Sequence, residues 1–176
     1  MLNTAGFENI DIEKLKEHEL ETITDLLFKA EIGKKYYPTK DTLSGLLKDG
    51  YPDDHMYTVK DEEDIVGFVW FQEKGAFYVY PYLQMIFVRE DYRKTGLGKK
   101  LLDFFEEQSL NGPSGKKIKS KVFLCVGEWN EGAIRFYDRA GYREVGMLPG
   151  LFRKKVNEKL YMKECLQEMY EKTDRK

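Results

Sequence analysis

The chain has little cysteine, histidine or proline, almost no net charge, and no long apolar run. Its two cysteines, Cys125 and Cys165, stand far apart, and Cys125 lies inside an apolar stretch. That suits a reducing compartment better than a disulfide framework. With only His18 and His55 for imidazoles and no cysteine pair, a metal cage has no ligands to build it, so no metal is expected. A formal net charge of −2, with Lys and Glu interspersed, gives no overall attraction for nucleic acid or an anionic membrane. No apolar run approaches the length of a membrane span, and no basic-then-apolar leader is present. The expectation is a cytoplasmic protein with neither a nucleic-acid nor a membrane partner. No repeat or low-complexity segment occurs.

What is present is a chain of 176 residues, long enough for one well-filled core and short for two. Its 12 Tyr, 11 Phe and 2 Trp argue against disorder. One domain over residues 1–176 is expected, with its core over about 7–163 and a terminal helix or tail over 164–176. The segment after Lys163 caps the sheet or mediates a homodimer; nothing in the sequence decides between them.

Residues 7–15 alternate loosely, as an edge strand would. Leu20, Ile23, Leu27 and Ala30 recur at helical spacing within residues 17–30. Gly33 and Pro38 break the pattern over 31–39. Thr39 reads as the N-cap of a helix carrying Leu43, Leu46 and Leu47 and ending at Gly50. Residues 56–60 and 65–72 read as a hairpin. Residues 77–88 read as one long strand with a bend or bulge marked by Gly75 and Pro81. A helix burying Leu97, Leu101, Leu102 and Phe105 stops before the breaker-rich residues 111–115. A strand over 121–126, a helix over 130–140 with Gly141 as its C-cap, strands over 142–147 and 159–163, and a short helix with Leu166, Met169 and Tyr170 complete the order.

The most informative stretch is Arg93-Lys94-Thr95-Gly96-Leu97-Gly98, between the apolar run at 83–88 and the helix opening at Lys99. Strand, basic glycine-bearing loop and helix in that order build an anion site. Glycines allow close backbone approach, and unpaired amides at the helix N-terminus point at the ligand. A Walker loop needs glycine at position 93 and Ser or Thr at position 100. The dinucleotide fingerprint needs a third glycine at position 101. Arg93, Lys100 and Leu101 exclude both.

Arg-x-x-Gly-x-Gly after a strand resembles the pyrophosphate loop of the GNAT acetyltransferase superfamily. A second stretch compounds the resemblance: Asn130, Ala133, Phe136-Tyr137, Gly141 and Tyr142 are spaced as in that family, after a strand. The resemblance implies an α/β fold with a central, mostly antiparallel, twisted mixed sheet flanked by helices. It implies acetyl-CoA as cosubstrate and an amine acceptor on a small molecule or peptide. Val88 would offer its amide to the thioester carbonyl, with Ile86 and Phe87 as neighbouring wall. Arg93, Lys94, Thr95, Gly96, Leu97, Gly98 and Lys99 would hold the pyrophosphate. Asn130 would bond the pantetheine arm, Phe136 would line it, and Tyr137 would protonate the departing thiolate.

Plainer roles stand beside these. Ala133, Phe136 and Ala140 suit the core of any amphipathic helix, Asn130 suits an N-cap, and Lys94 and Lys99 suit solvated surface. Many relatives carry a carboxylate on the strand before the loop or on the strand leading to Asn130. Here Tyr82-Leu83-Gln84-Met85 and Leu124-Cys125-Val126 contain none, which leaves Glu128, just past its strand, as the candidate base. Neutralising a lysine-like amine of pKa ~10.4 at pH 7 costs about 4.6 kcal/mol, against about 1.1 for an α-amine near 7.8. A site without a strong base therefore favours a weakly basic amine, a water chain, or a desolvating pocket. Tyr78, Tyr80 and Tyr82 are candidates to frame such a pocket, or to pack on a sheet. Residues 31–54 would border the acceptor by analogy. An acyl-CoA sensor of weak activity, and a nucleotide-binding regulator of another fold, are the alternatives.

Overall fold

A computed structural model describes residues 11–110 and 121–165. The expected strand residues 7–10, the breaker-rich loop at 111–115 and the terminal helix lie outside the described residues. Among the described residues seven strands form one sheet in the order β1-β2-β3-β4-β5-β7-β6. They are β1 (Ile12–Lys14), β2 (His55–Asp61), β3 (Asp64–Ala76), β4 (Tyr80–Val88), β5 (Lys121–Gly127), β6 (Arg143–Arg153) and β7 (Val156–Glu164). The β1–β2, β2–β3, β5–β7 and β6–β7 pairs are antiparallel, and β4–β5 is parallel. A parallel pair needs a crossover, and helix α4 (Leu97–Leu110) supplies it. The remaining helices are α1 (Leu20–Lys29), α2 (Glu31–Tyr36), α3 (Lys40–Gly50) and α5 (Glu131–Arg139).

The chain packs as two compact units, with β3, β4 and α4 each running through both. The first comprises Met1–Phe71 and Met85–Asp103. Its core joins Leu20, Ile23 and Leu27 of α1 and Leu43 and Leu47 of α3 to Met56, Phe68, Trp70, Met85 and Phe87. Ile23, Leu27, Leu43, Leu47 and Phe68 are wholly buried; truncating such a leucine or isoleucine to alanine costs about 2–5 kcal/mol. Thr39 caps α3 as its sequence predicts, its hydroxyl accepting from Thr42 N at 3.2 Å. Trp70 Nε1 donates to Asp54 at 2.8 Å, so this acidic residue of the 51–54 turn serves the fold.

The second unit comprises Gln72–Gln84 and Phe104–Lys176. Val122, Leu124 and Val126 of β5 are buried. Phe123 clusters with Ala76 and Met162, against which Tyr80, Tyr82 and Leu160 pack half-buried. β6 is the outer strand and exposes Val145, Met147, Leu151 and Phe152.

Three expectations need correction. Residues 31–36 form helix α2 rather than a break, because Gly33 lets its backbone sit against Leu27 and Phe28 of the preceding helix, where a Cβ would collide with them. Residues 77–88 are not one strand. β3 runs on to Ala76 and turns through Phe77 and Tyr78, at φ 55° and 59°, with Val79 N donating to Ala76 O at 3.1 Å. Two left-handed residues make a tight hairpin, normally the work of Asn-Gly, so two aromatics concealed it. Tyr78 is therefore in the turn and 92% exposed, off the face of Tyr80 and Tyr82. β6 starts at Arg143 and continues to Arg153, beyond the expected end at 147.

Candidate active site

The first unit carries the basic loop. Arg89, just past β4, anchors its entry: its N–H donates to Val66 O at 2.9 Å, and its guanidinium bonds Asp91 at 2.8 and 3.0 Å. That guanidinium also lies 4.7 Å over the Tyr92 ring, and the Tyr92 hydroxyl donates to Asp61. After one tight turn over Glu90–Tyr92 the chain reverses, with Lys94 at φ 65° and Gly96 at φ 98°. The positive dihedrals thus fall on Lys94 and Gly96, whereas Gly98 is already inside α4. Thr95 Oγ1 donates to Tyr92 O at 2.6 Å and accepts from Leu97 N at 3.5 Å, closing the loop on itself.

Helix α4 begins here because Leu97, Leu101 and Leu102 are buried. Gly67 on β3 admits them: a Cβ there would stand 3.2 Å from Leu101 and 3.5 Å from Leu97. Leu97, Gly98 and Lys99 form the first turn, whose amides have no intrahelical acceptor. Arg93, Lys94 and Gly96 are exposed beside them. Arg93 Nε donates to Val88 O at 3.3 Å, and Lys99 Nζ pairs with Asp103 at 2.5 Å. A helix N-terminus with its dipole and two exposed cations at positions 93 and 94 suit an anion. Ile86 and Val88 are half-buried at the end of β4, and Phe87 is buried.

The second unit carries the other motif. The pairing of β4 with β5 covers Tyr82↔Phe123 and Leu83↔Leu124, while β5 runs on to Gly127. Asn130 N donates to Gly127 O at 2.8 Å, and Asn130 Oδ1 accepts from Ala133 N at 3.0 Å to cap α5. With its oxygen so used, the side-chain amide N–H₂ is what Asn130 has left to offer. Phe136 is half-buried and its ring centroid lies 5.2 Å from that of Tyr137. Tyr137 is 6% exposed, and burial pushes its phenol well above the ordinary tyrosine value. Among the described residues its hydroxyl has no hydrogen-bond partner. It is a neutral donor at physiological pH.

Glu128 lies at the surface; its N–H donates to Asn157 O at 2.9 Å, and its Oε2 accepts from Asn157 Nδ2 at 3.1 Å. Sequence reasoning passed over a different carboxylate. Glu158 of β7 is 1% exposed, directly across from Gly127 on one side and Leu148 on the other. The signal was available: Val156, Glu158, Leu160 and Met162 alternate on one strand face, so an acid sits between apolar neighbours of that row. Among the described residues no group of three His, Cys, Asp or Glu could hold a metal ion, and no helix is long and apolar enough to cross a membrane.

Comparison with known proteins identifies the family. The Acetyltransferase (GNAT) family matches residues 18–142, well over half the chain. The chain belongs to the GNAT acetyltransferases. L-ornithine N5-acetyltransferase NATA1 of Arabidopsis thaliana is 38% identical over 60 residues, which are 34% of this chain and 24% of that protein. The match thus spans about a quarter of the ornithine enzyme. Spermidine N-acetyltransferase of Vibrio cholerae, solved with CoA and spermine, shares the GNAT fold at a TM-score of 0.65 and 19% identity, over 89% of this chain and 95% of that one. The ribosomal-protein-S18-alanine N-acetyltransferase of Escherichia coli does so at a TM-score of 0.68 and 16% identity, over 92% and 99%.

Proposed function

We propose that this GNAT protein is a single-domain, cytoplasmic, acetyl-CoA-dependent N-acetyltransferase. Its acceptor is a primary amine on a small molecule or peptide, which attacks directly in a ternary complex. The observation that carries the reading is the backbone of residues 93–99: left-handed turns at Lys94 and Gly96 running into the open first turn of α4. Such a backbone binds a diphosphate through main-chain donors, with Arg93 and Lys94 adding charge. The Vibrio spermidine enzyme, solved with CoA and spermine, and the Arabidopsis ornithine enzyme support an amine acceptor.

Each remaining residue has a role the reaction requires. Val88 offers its N–H to the thioester carbonyl, with Ile86 and Phe87 beside the pantetheine. Thr95, Leu97, Gly98 and Lys99 complete the diphosphate cradle. The Asn130 amide bonds the pantetheine arm and Phe136 lines it. Tyr137 protonates the leaving thiolate. The burial that raises its phenol would raise the thiol of CoA in the same surroundings, since both conjugate bases are anions, so the gap between donor and acceptor stays modest. Glu128, exposed and held by Asn157, is a poorly placed base, and this keeps a non-turning acyl-CoA sensor as the second reading. Incubation with acetyl-CoA and a panel of amines, following free thiol, separates the two. Thiol release dependent on amine is expected; tight CoA binding without release across the panel would establish the sensor.

A further inference from the structure

We infer that the ion pair between Glu106 of α4 and Lys163 of β7 positions the proton donor Tyr137, acting through the ring of Tyr142. This rests on the acetyltransferase reading, which gives Tyr137 its role. The need for such a pair follows from how Tyr137 is held. Among the described residues its hydroxyl has no hydrogen-bond partner, so no polar contact fixes the direction of its O–H. Ring contacts set its place instead, to Phe136 at 5.2 Å and to Tyr142 at 5.7 Å between centroids. Of the two, Tyr142 is the one outside helix α5, past the Gly141 reversal, and it is buried.

Lys163 holds the Tyr142 ring in turn. Its Nζ lies 5.6 Å from the ring centroid, within the range at which a cation is drawn to the negative face of an aromatic ring. Its stem passes the reversal itself, since a Cβ at Gly141 would stand 3.8 Å from Lys163 Cε. A lysine head turns freely on a flexible stem. Here Glu106 fixes it, both carboxylate oxygens accepting from Nζ, at 2.9 and 2.7 Å. The two side chains are 25% and 14% exposed, against 68% and 45% for the Arg143–Glu164 pair, so solvent screens this pair less. Burial first, then the Glu106 carboxylate, push the Tyr142 phenol far above its ordinary value. The ring therefore stays neutral. One ammonium thus ties together the crossover helix, β7 and the residue packed on Tyr137. All four side chains belong to the second unit.

A pair that merely fastened α4 to β7 would change thermal stability and leave the proton transfer alone. A positioning pair has a different signature, because its removal acts through one hydroxyl. That hydroxyl must come within hydrogen-bond reach of the departing sulfur. A displacement of about 1 Å costs up to roughly 100-fold in rate. Glu106 and Lys163 exchange no proton with the reactants; they place the ring that packs against the donor.

The test is Lys163→Met, which keeps an unbranched stem and removes the cation, with Lys163→Arg as the conservative variant. Each is made in the parent and in Tyr137→Phe. With an amine that the parent acetylates, kcat should fall about tenfold or more in Lys163→Met while acetyl-CoA Kd holds. Lys163→Arg should recover most of the loss. In Tyr137→Phe, Lys163→Met should cost little more, since the hydroxyl it positions is gone. Fluorotyrosine incorporation reads position apart from turnover. The fluorine resonance that disappears in Tyr137→Phe should shift in Lys163→Met and return toward its place in Lys163→Arg. Unchanged kcat, an equal fall in both backgrounds, a parallel loss of acetyl-CoA affinity or an unmoved resonance would overturn the assignment. If Lys163→Met does not fold, Glu106→Gln, which breaks the pair from the other side, carries the same comparison. A parent that releases no thiol with any amine overturns the acetyltransferase reading instead, and the fluorine resonance then decides by itself whether the pair holds Tyr137 in place.

Discussion

The ring of Tyr142 stands edge-on to that of Tyr137 with centroids 5.7 Å apart, and Tyr142 N donates to the Tyr137 carbonyl at 3.0 Å. Gly141, at φ 87°, makes the reversal that returns Tyr142 to the helix end. Tyr137 is thereby fixed by packing, while its hydroxyl stays unengaged among the described residues. Tyr137→Phe keeps the packing and removes only the proton donor. Turnover should fall about 100-fold or more, with acetyl-CoA affinity nearly unchanged. Stopped thiol-release assays and calorimetric titration read the two quantities, and unaltered turnover would remove Tyr137 from catalysis.

Gly96→Val tests the diphosphate loop. No neighbour stands within 4 Å of a Cβ at this position, so the penalty comes from the φ of 98°, which a β-branched residue resists. The strain is on the order of 1–3 kcal/mol. Relaxing it moves the amides of residues 94–99, so acetyl-CoA affinity should drop about tenfold or more, a size that corresponds to ~1.4 kcal/mol. Normal affinity in the folded variant would refute the loop assignment.

Two helix glycines should respond in opposite directions to alanine. Gly45 lies within α3 with open space around a Cβ, so Gly45→Ala should stabilise by about 0.5–1 kcal/mol. A Cβ at Gly33 would strike the backbone of Leu27 and Phe28, so Gly33→Ala should lower the melting temperature sharply and loosen α2 from α1. Thermal melts of both variants decide it, and equal effects would contradict the close approach of these helices.

Acid stability should depend on Glu19. Burial opposes its ionisation, but the hydrogen bond from Lys60 and the Lys16 N–H at 2.9 Å outweigh that and hold its carboxyl below the ordinary 4.5. The folded state therefore binds this proton less readily than the unfolded state. Its contribution is complete above pH 4.5 and fades as pH falls through the depressed folded value. Urea melts of Glu19→Gln should show a flatter loss of stability below pH 5 than the parent; identical slopes would exclude this carboxyl as a contributor.

Elements whose cues are local were legible from residue order. The helix periodicity at Leu20, Ile23 and Leu27, the Thr39 cap, the apolar face of α4 and the left-handed Gly141 each depend on residues within a few positions of one another. The tight turn at Phe77 and Tyr78 was hidden because its residues contradict local preference, which pairing between β3 and β4 overrides. Helix α2 was hidden because Gly33 is a helix breaker by propensity and a contact point by packing.

Residue order alone determined the family, the two motifs and the class of chemistry, because loop and helix-start signatures are short and contiguous. Only the tertiary structure decided which carboxylate is buried. Glu128 and Glu158 are equally acidic on paper, but cross-strand register sends one to solvent beside Asn157 and sets the other across from Gly127, on the face of Cys125 and Tyr82. Register is a long-range property: it sums pairings along whole strands, and no short window of sequence contains it.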